Sequence, residues 1–297
     1  MPGMPSTPLI VGCGDVGTRL ARSLIVSGRR PVGLVRTQPS ADALGRQGIA
    51  PVVSNLDRPV DEPPAAAEKG LVFYLVPPPK DAEGDDPRLR NFLSACGQER
   101  PSRIVYLSTS AVYGDCAGAW VDETRPPRPT SARGQRRLAA EQMLAQWSRE
   151  TGGEHVILRV AGIYGPDRLP LDRLADTVLI DEQEAPWSNR IHVDDLVSVL
   201  RAAAERGRSG RVYNVADGQP TTMTDYFFRV ADAAGRPRPR TVPLAAADRH
   251  LSAGMLEFIR ESRRLDVTRM QRELGVRLRY PDLDAGLADA LPARRRA

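Results

Sequence analysis

The chain has 297 residues, of which 41% are hydrophobic and 27% charged, and its formal net charge is +5. Such a chain can bury a large core, and its balance is that of an ordinary globular protein. No stretch approaches the roughly 18 consecutive apolar residues of a membrane-crossing helix, and Met1–Pro8 has neither the basic start nor the apolar run of a secretory signal. A soluble cytoplasmic protein is therefore expected.

The three cysteines (Cys13, Cys96, Cys116) and three histidines (His155, His192, His250) are scattered without metal-ligand spacing. Neither a disulfide framework nor a metal site is expected. Among the basic residues only Lys69 and Lys80 are lysine; the rest are arginine. A mild positive balance suits an anionic ligand. The run Arg294-Arg295-Arg296 reads as a solvated terminus. No aromatic residues interleave with basic ones, so nucleic acid is not an expected partner.

In chain order, Thr7–Val11 reads as a strand that ends in glycines. Asp15–Ser27 reads as a helix, with Val16, Leu20 and Leu24 on one face. Strands are predicted at Pro31–Arg36, Pro51–Ser54, Leu71–Val76 and Arg103–Ser108, with a helix at 87–99 before the last of these. The segments 58–70 and 77–86 are Pro-rich, charged loops. The second of them leaves the carboxyl end of a strand, where open α/β sheets bind ligands, and Val76 at that end is a candidate contact. Ala132–Glu150 is helical, with Ala140, Leu144 and Trp147 on one side. His155–Val160 and Arg211–Val215 are further strands. Thr224 is placed as the cap of a helix carrying Phe227, Val230 and Ala234. Alternating strands and helices predict an α/β fold: a Rossmann-type doubly wound parallel sheet, covered on both faces, with a small C-terminal substrate lobe. The predicted division is a binding core over residues 7–165 and mainly a small lobe over 166–297, with some segments returning to the core.

Gly12-Cys13-Gly14-Asp15-Val16-Gly17 has the form G-x-G-x-x-G, after a predicted strand and at the opening of a helix. In that context Gly12 permits a tight turn, Gly14 admits a pyrophosphate to the backbone, and Gly17 packs helix on strand. The helix N-terminus then offers free N–H groups to phosphate. A dinucleotide cofactor follows as the expectation. At the end of the second strand, where an acid would meet a ribose 2′-hydroxyl, stand Arg36 and Thr37. A guanidinium pairs with a 2′-phosphate, which favours NADP, with NAD as the alternative. Asn55-Leu56-Asp57 is either a contact to the adenine edge or a polar turn. Cys13, in the phosphate loop, reads as a small packing residue rather than an activated thiol.

Four further segments carry a resemblance. Leu107-Ser108-Thr109-Ser110-Ala111-Val112-Tyr113-Gly114, Leu158-Arg159 through Tyr164-Gly165-Pro166, Ile191-His192-Val193-Asp194-Asp195 and Tyr213-Asn214-Val215 follow one another in order. Together with the glycine motif they resemble the extended short-chain dehydrogenase/reductase superfamily, in its NAD-dependent epimerase/dehydratase group. The resemblance implies a parallel sheet of about seven strands, a small-molecule substrate, and a homodimer through the helices at 87–99 and 132–150. It also implies a catalytic Tyr-x-x-x-Lys pair, which this sequence lacks: none of its seven tyrosines has a lysine four residues later. Alignment on Leu138–Glu141 puts Arg133 at the tyrosine position and Arg137 at the lysine position. Arginine can still donate to ribose hydroxyls, but it keeps its proton near neutral pH. Thr109 aligns with the family's substrate-binding hydroxyl, and Tyr113 and Tyr164 are candidates for a replacement hydroxyl. The sequence thus supports an NAD(P)-binding oxidoreductase with an altered active site, acting on a small carbonyl or sugar-like substrate. The alternative is a non-catalytic NADP(H)-binding redox sensor or scaffold.

Overall fold

The computed structural model describes residues 7–97 and 100–291. The first six residues, the end of the helix predicted at 87–99, and the terminal arginines lie outside the described residues.

Seven strands form one sheet: β1 (Leu9–Val11), β2 (Val32–Val35), β3 (Ala50–Val53), β4 (Leu71–Tyr74), β5 (Arg103–Thr109), β6 (Glu154–Val160) and β7 (Arg211–Val215). They lie in the order β7-β6-β5-β4-β1-β2-β3, and each neighbouring pair is parallel. The strands are short and β-branched or aromatic, as fits a sheet buried on both faces. Side chains alternate across it. Leu9, Val11, Val72, Tyr74, Ile104 and Tyr106 form one cluster with Leu89 and Phe92 of α3 (Pro87–Cys96) and Ala140, Leu144 and Trp147 of α4 (Ala132–Thr151). Ile10, Phe73 and Val105 point the other way, onto Leu20 and Leu24 of α1 (Asp15–Val26) and Leu196 and Leu200 of α5 (Val193–Arg206). Each such side chain contributes ~1.5–3 kcal/mol by leaving water. The architecture is the expected Rossmann-type doubly wound sheet.

Several helix starts are written into the sequence. Asp86 accepts a hydrogen bond from Leu89 N at 3.1 Å, with Pro87 at the first helical position of α3. Ser131 does the same for Gly134 N at 3.3 Å at the head of α4. Thr224 corrects the expectation. The cap of α6 (Met223–Ala234) is Thr222, whose hydroxyl accepts from Asp225 N at 3.0 Å, while the Thr224 hydroxyl donates to Ile180 O at 2.6 Å. Between β2 and β3 the chain also forms a helix, α2 (Gln38–Gly45).

The segment after Gly165 builds its own small cores. Leu174, Leu179, Tyr226, Phe227 and Leu287 gather round Tyr164 in one, and Ile180, Val242, Ala247 and Leu251 form another. The same segment also supplies α5 and β7 to the main sheet. Among the described residues no helix is long and apolar enough to cross a membrane.

Candidate functional site

β1 lies between β4 and β2, so the chain leaves its carboxyl end at the point where strand order reverses, and the cleft of an open α/β sheet belongs there. A cleft of about 520 Å³ occupies this position. The glycine loop forms its floor. Gly12 has φ +85°, and a Cβ there would stand 2.6 Å from Val76 Cγ2 and 3.0 Å from Val76 N. A Cβ on Gly17 would stand 3.0 Å from Gly12 O and 3.1 Å from Ile10 Cγ2. A Cβ on Gly14 meets nothing within 4 Å. Two glycines therefore serve close packing, and the third leaves open space before the helix. Gly14 is the N-cap of α1 and no side chain caps that helix, so its first-turn N–H groups face the cleft without an intrahelical acceptor. This cradle fits a diphosphate.

Asp15, Val16, Arg36, Asn55, Leu56, Val76 and Arg137 line the same cleft. Cys13 also borders it, but its thiol is buried against the helix and burial pushes it up to about 11. It is a packing residue. Arg36 lies at the rim, its guanidinium 3.6 Å from Asp57 Oδ2. Asp57 is held in turn by Arg88 Nε at 2.5 Å. Thr37 does not line the cleft; its hydroxyl lies 2.9 Å from that of Ser40, and Ser40 is the residue that reaches the cleft. Asn55 Oδ1 accepts from Asp57 N at 3.1 Å, so the polar turn and the cleft wall are the same structure. Arg168 reaches over from the segment after Gly165 and pairs with Asp15 at 2.5 Å. Sequence reasoning missed Ser40, Arg88 and Arg168 as lining residues. Only Arg168 carried a signal, two residues beyond the Gly165-Pro166 motif.

Arg137 projects from α4 into the inner end of the cleft. It donates to Leu107 O at 2.8 Å and to the Tyr106 hydroxyl at 3.1 Å. One turn earlier on α4, Arg133 opens onto a second pocket of about 230 Å³. Its guanidinium lies over the Phe258 ring, 4.3 Å from the centroid, and 3.9 Å from Glu261 Oε2. Thr109 lines this pocket, and its hydroxyl caps the turn after β5 by accepting from Ala111 N at 3.3 Å. The two cavities adjoin. Leu107 and Ile163 line the cleft, while Thr109 and Gly162 on the same two strands line the pocket.

The remaining hydroxyl candidates point elsewhere. Tyr113 lines neither cavity; it is 1% exposed and donates to Asn214 Oδ1 at 2.7 Å. Its buried hydroxyl, pushed up to about 12 by desolvation, is a core bond, and the expectation of a catalytic role for Tyr113 is corrected. Tyr164 donates to Asp282 O at 3.2 Å. His192 caps α5 through Nδ1, which accepts from Asp194 N at 3.3 Å, and burial holds its pKa below the ordinary value. Beneath the site, Glu141 binds Arg159 at 2.7 Å and accepts from the Ser108 hydroxyl at 2.5 Å, which locks α4 against β5 and β6.

The family model of the NAD dependent epimerase/dehydratase family matches residues 89–216. Protein YeeZ of Escherichia coli K12 is 26% identical over 281 residues, spanning 92% of this chain and 96% of its own. A conserved protein of unknown function from Silicibacter pomeroyi is 35% identical, with a TM-score of 0.81 over 96% of this chain and 97% of its own. UDP-glucuronic acid 4-epimerase from Bacillus cereus, solved with NAD, shares the fold at 18% identity, with a TM-score of 0.75 over 96% of this chain and 95% of its own. The glycine loop at the switch point, the ordered motifs and these matches agree: the chain belongs to the NAD dependent epimerase/dehydratase family.

Proposed function

We propose that the protein is an NADP(H)-dependent oxidoreductase acting on a small carbonyl or sugar-like substrate. The observation that carries the reading is that neighbouring residues of the same elements line the two cavities, with Arg137 on the cleft side and Thr109 and Arg133 on the pocket side. A non-catalytic sensor would need the cleft but no second pocket opening beside it.

When bound, the nicotinamide would supply or accept the hydride. The protein's own residues have separable tasks. The N-terminus of α1 holds the diphosphate through backbone N–H groups. Arg137, fixed by Leu107 O and Tyr106, directs its remaining N–H groups at the ribose. Thr109 donates to the substrate oxygen. Arg133 sits where the family carries its proton-donating tyrosine. A guanidinium does not give up a proton near neutral pH, so it stabilises negative charge developing on the substrate oxygen by electrostatics, and solvent provides the proton. Arg36 and Ser40 at the rim supply a cation and a hydroxyl for a ribose 2′-phosphate.

Calorimetric titration with NADPH, NADP, NADH and NAD tests this. NADP(H) is expected to bind at least about tenfold tighter than NAD(H), since a charge-assisted hydrogen bond contributes ~1.5–3 kcal/mol. Arg36→Ala is expected to erase that preference without loss of NAD(H) binding. Equal affinity for both pairs would refute the NADP assignment. Failure of all four to bind would refute the cofactor reading itself.

A further inference from the structure

Resting on the oxidoreductase reading, we propose that the second pocket is a built oxyanion site, so that the substrate is a small molecule carrying a carboxylate or phosphate close to its reacting oxygen. The charges lining the pocket are Arg133, Arg190 and Arg263 against the single carboxylate of Glu261. Glu261 is shared: Arg263 binds it at 2.9 Å and Arg133 approaches to 3.9 Å. The lining therefore holds two more positive than negative charges.

Arg190 is 7% exposed and has no carboxylate within 4.0 Å among the described residues. Its two terminal nitrogens are committed to weak partners, the carbonyl of Asn189 at 2.9 Å and the sulfur of Met223 at 3.3 Å. Its guanidinium lies over the Tyr226 ring, 4.3 Å from the centroid. Arg133 Nε and Arg263 Nε are buried and have no hydrogen-bond partner among the described residues. A buried donor on a charged group is costly when its hydrogen bond is left unmade. Three guanidinium groups surround one cavity, two with an unpartnered Nε; Asp217 draws on Arg190 from outside the lining, and an anionic ligand in the cavity would balance the rest. Arginine's planar fork suits carboxylate and phosphate alike, which is why the two are taken together.

The pocket also limits size. At about 230 Å³ it falls below the ~300–1,000 Å³ that drug-sized ligands occupy. Trp187 and Phe258 give it an aromatic wall. A compact aromatic or unsaturated acid fits this lining better than a large nucleotide-linked sugar.

The test uses three probes that share a phenyl ring: benzoate, phenyl phosphate and the neutral benzamide. Each is titrated by ligand-observed NMR into the full chain, with and without NADPH. Either anion is expected to bind at least tenfold tighter than benzamide. The tighter of the two identifies the substrate as a carboxylic acid or a phosphoester. Arg133→Gln is expected to abolish the difference and Arg133→Lys to restore part of it, with thermal melting reporting that both variants are folded. Equal affinity for all three probes, failure of both anions to bind at millimolar concentration, or an unaltered preference in Arg133→Gln would each overturn the proposal. Loss of NADPH binding alone would instead remove the cofactor reading, because the probe titrations without NADPH stand by themselves.

Discussion

At the scale of single residues, Asp217 shows how burial writes a pH dependence into the fold. It follows β7, is 5% exposed, and accepts from Gln219 N through Oδ1, while Oδ2 has no partner among the described residues. Burial pushes its carboxyl up to about 7; Arg190 opposes the shift and Asp282 adds to it. Between an ordinary value near 4 and this raised one, the folded state holds a proton that the unfolded chain has lost. Its contribution to stability is complete on the acid side of that window and is lost as pH rises through about 7. Asp217→Asn keeps the Gln219 contact and removes the titration. Melting temperatures across this range should fall with pH in the natural chain relative to the variant; parallel profiles would rule the assignment out. Much of the cleft at the glycine loop was legible at this scale, because the G-x-G-x-x-G spacing marks the turn from β1 into α1. Tyr113 was not, because its hydroxyl is claimed by Asn214, 101 residues away, and no local pattern announces such a bond.

At the scale of elements, the helix Leu283–Ala290 shows what close approach demands. A Cβ on Gly286 would stand 2.0 Å from the Tyr164 hydroxyl and 2.5 Å from Cζ. Tyr164 is fully buried and tied to Asp282 O, so it cannot swing aside. Gly286→Ala should therefore cost about 1–3 kcal/mol, by analogy with overpacked cores. Gly254→Ala is the control, since a Cβ there meets nothing within 4 Å and alanine is the better helix former. Urea denaturation separates the two; equal midpoints would show that Tyr164 yields. Long amphipathic helices and buried strands were readable because their periodicity runs over many residues. The α2 stretch Gln38–Gly45 was not anticipated because it is short and buries only Ala41 and Leu44, too few positions to show a period. The two- and three-residue strand pairs, such as Gly162–Tyr164 with Arg190–His192, are too short to hold any period and exist only through their partners.

At the scale of the whole molecule, the segment after Gly165 and the sheet are not independent parts. β7 pairs with β6 over five residues, and α5 covers the face of the sheet that carries Ile10, Phe73 and Val105. A chain truncated after Gly165 loses both, leaving the edge of β6 unpaired and half the sheet without its helical cover. It should fail to fold, whereas the intact chain should melt in one transition; circular dichroism and calorimetry read this, and a cooperative transition in the truncated chain would contradict it. The overall architecture was legible because alternating strands and helices admit few arrangements. The meeting of the two cavities was not, since it depends on where strands distant in sequence come to lie. The same topology bears on how the protein is made. Fifty residues separate Val160 from Arg211, the residues that end β6 and begin β7. At the ~5–20 residues per second of translation, a nascent chain carries the open β6 edge for several seconds before the strand that seals it leaves the ribosome. The vulnerable period in the life of this protein is thus its own synthesis, when a holding chaperone has a strand edge to shield.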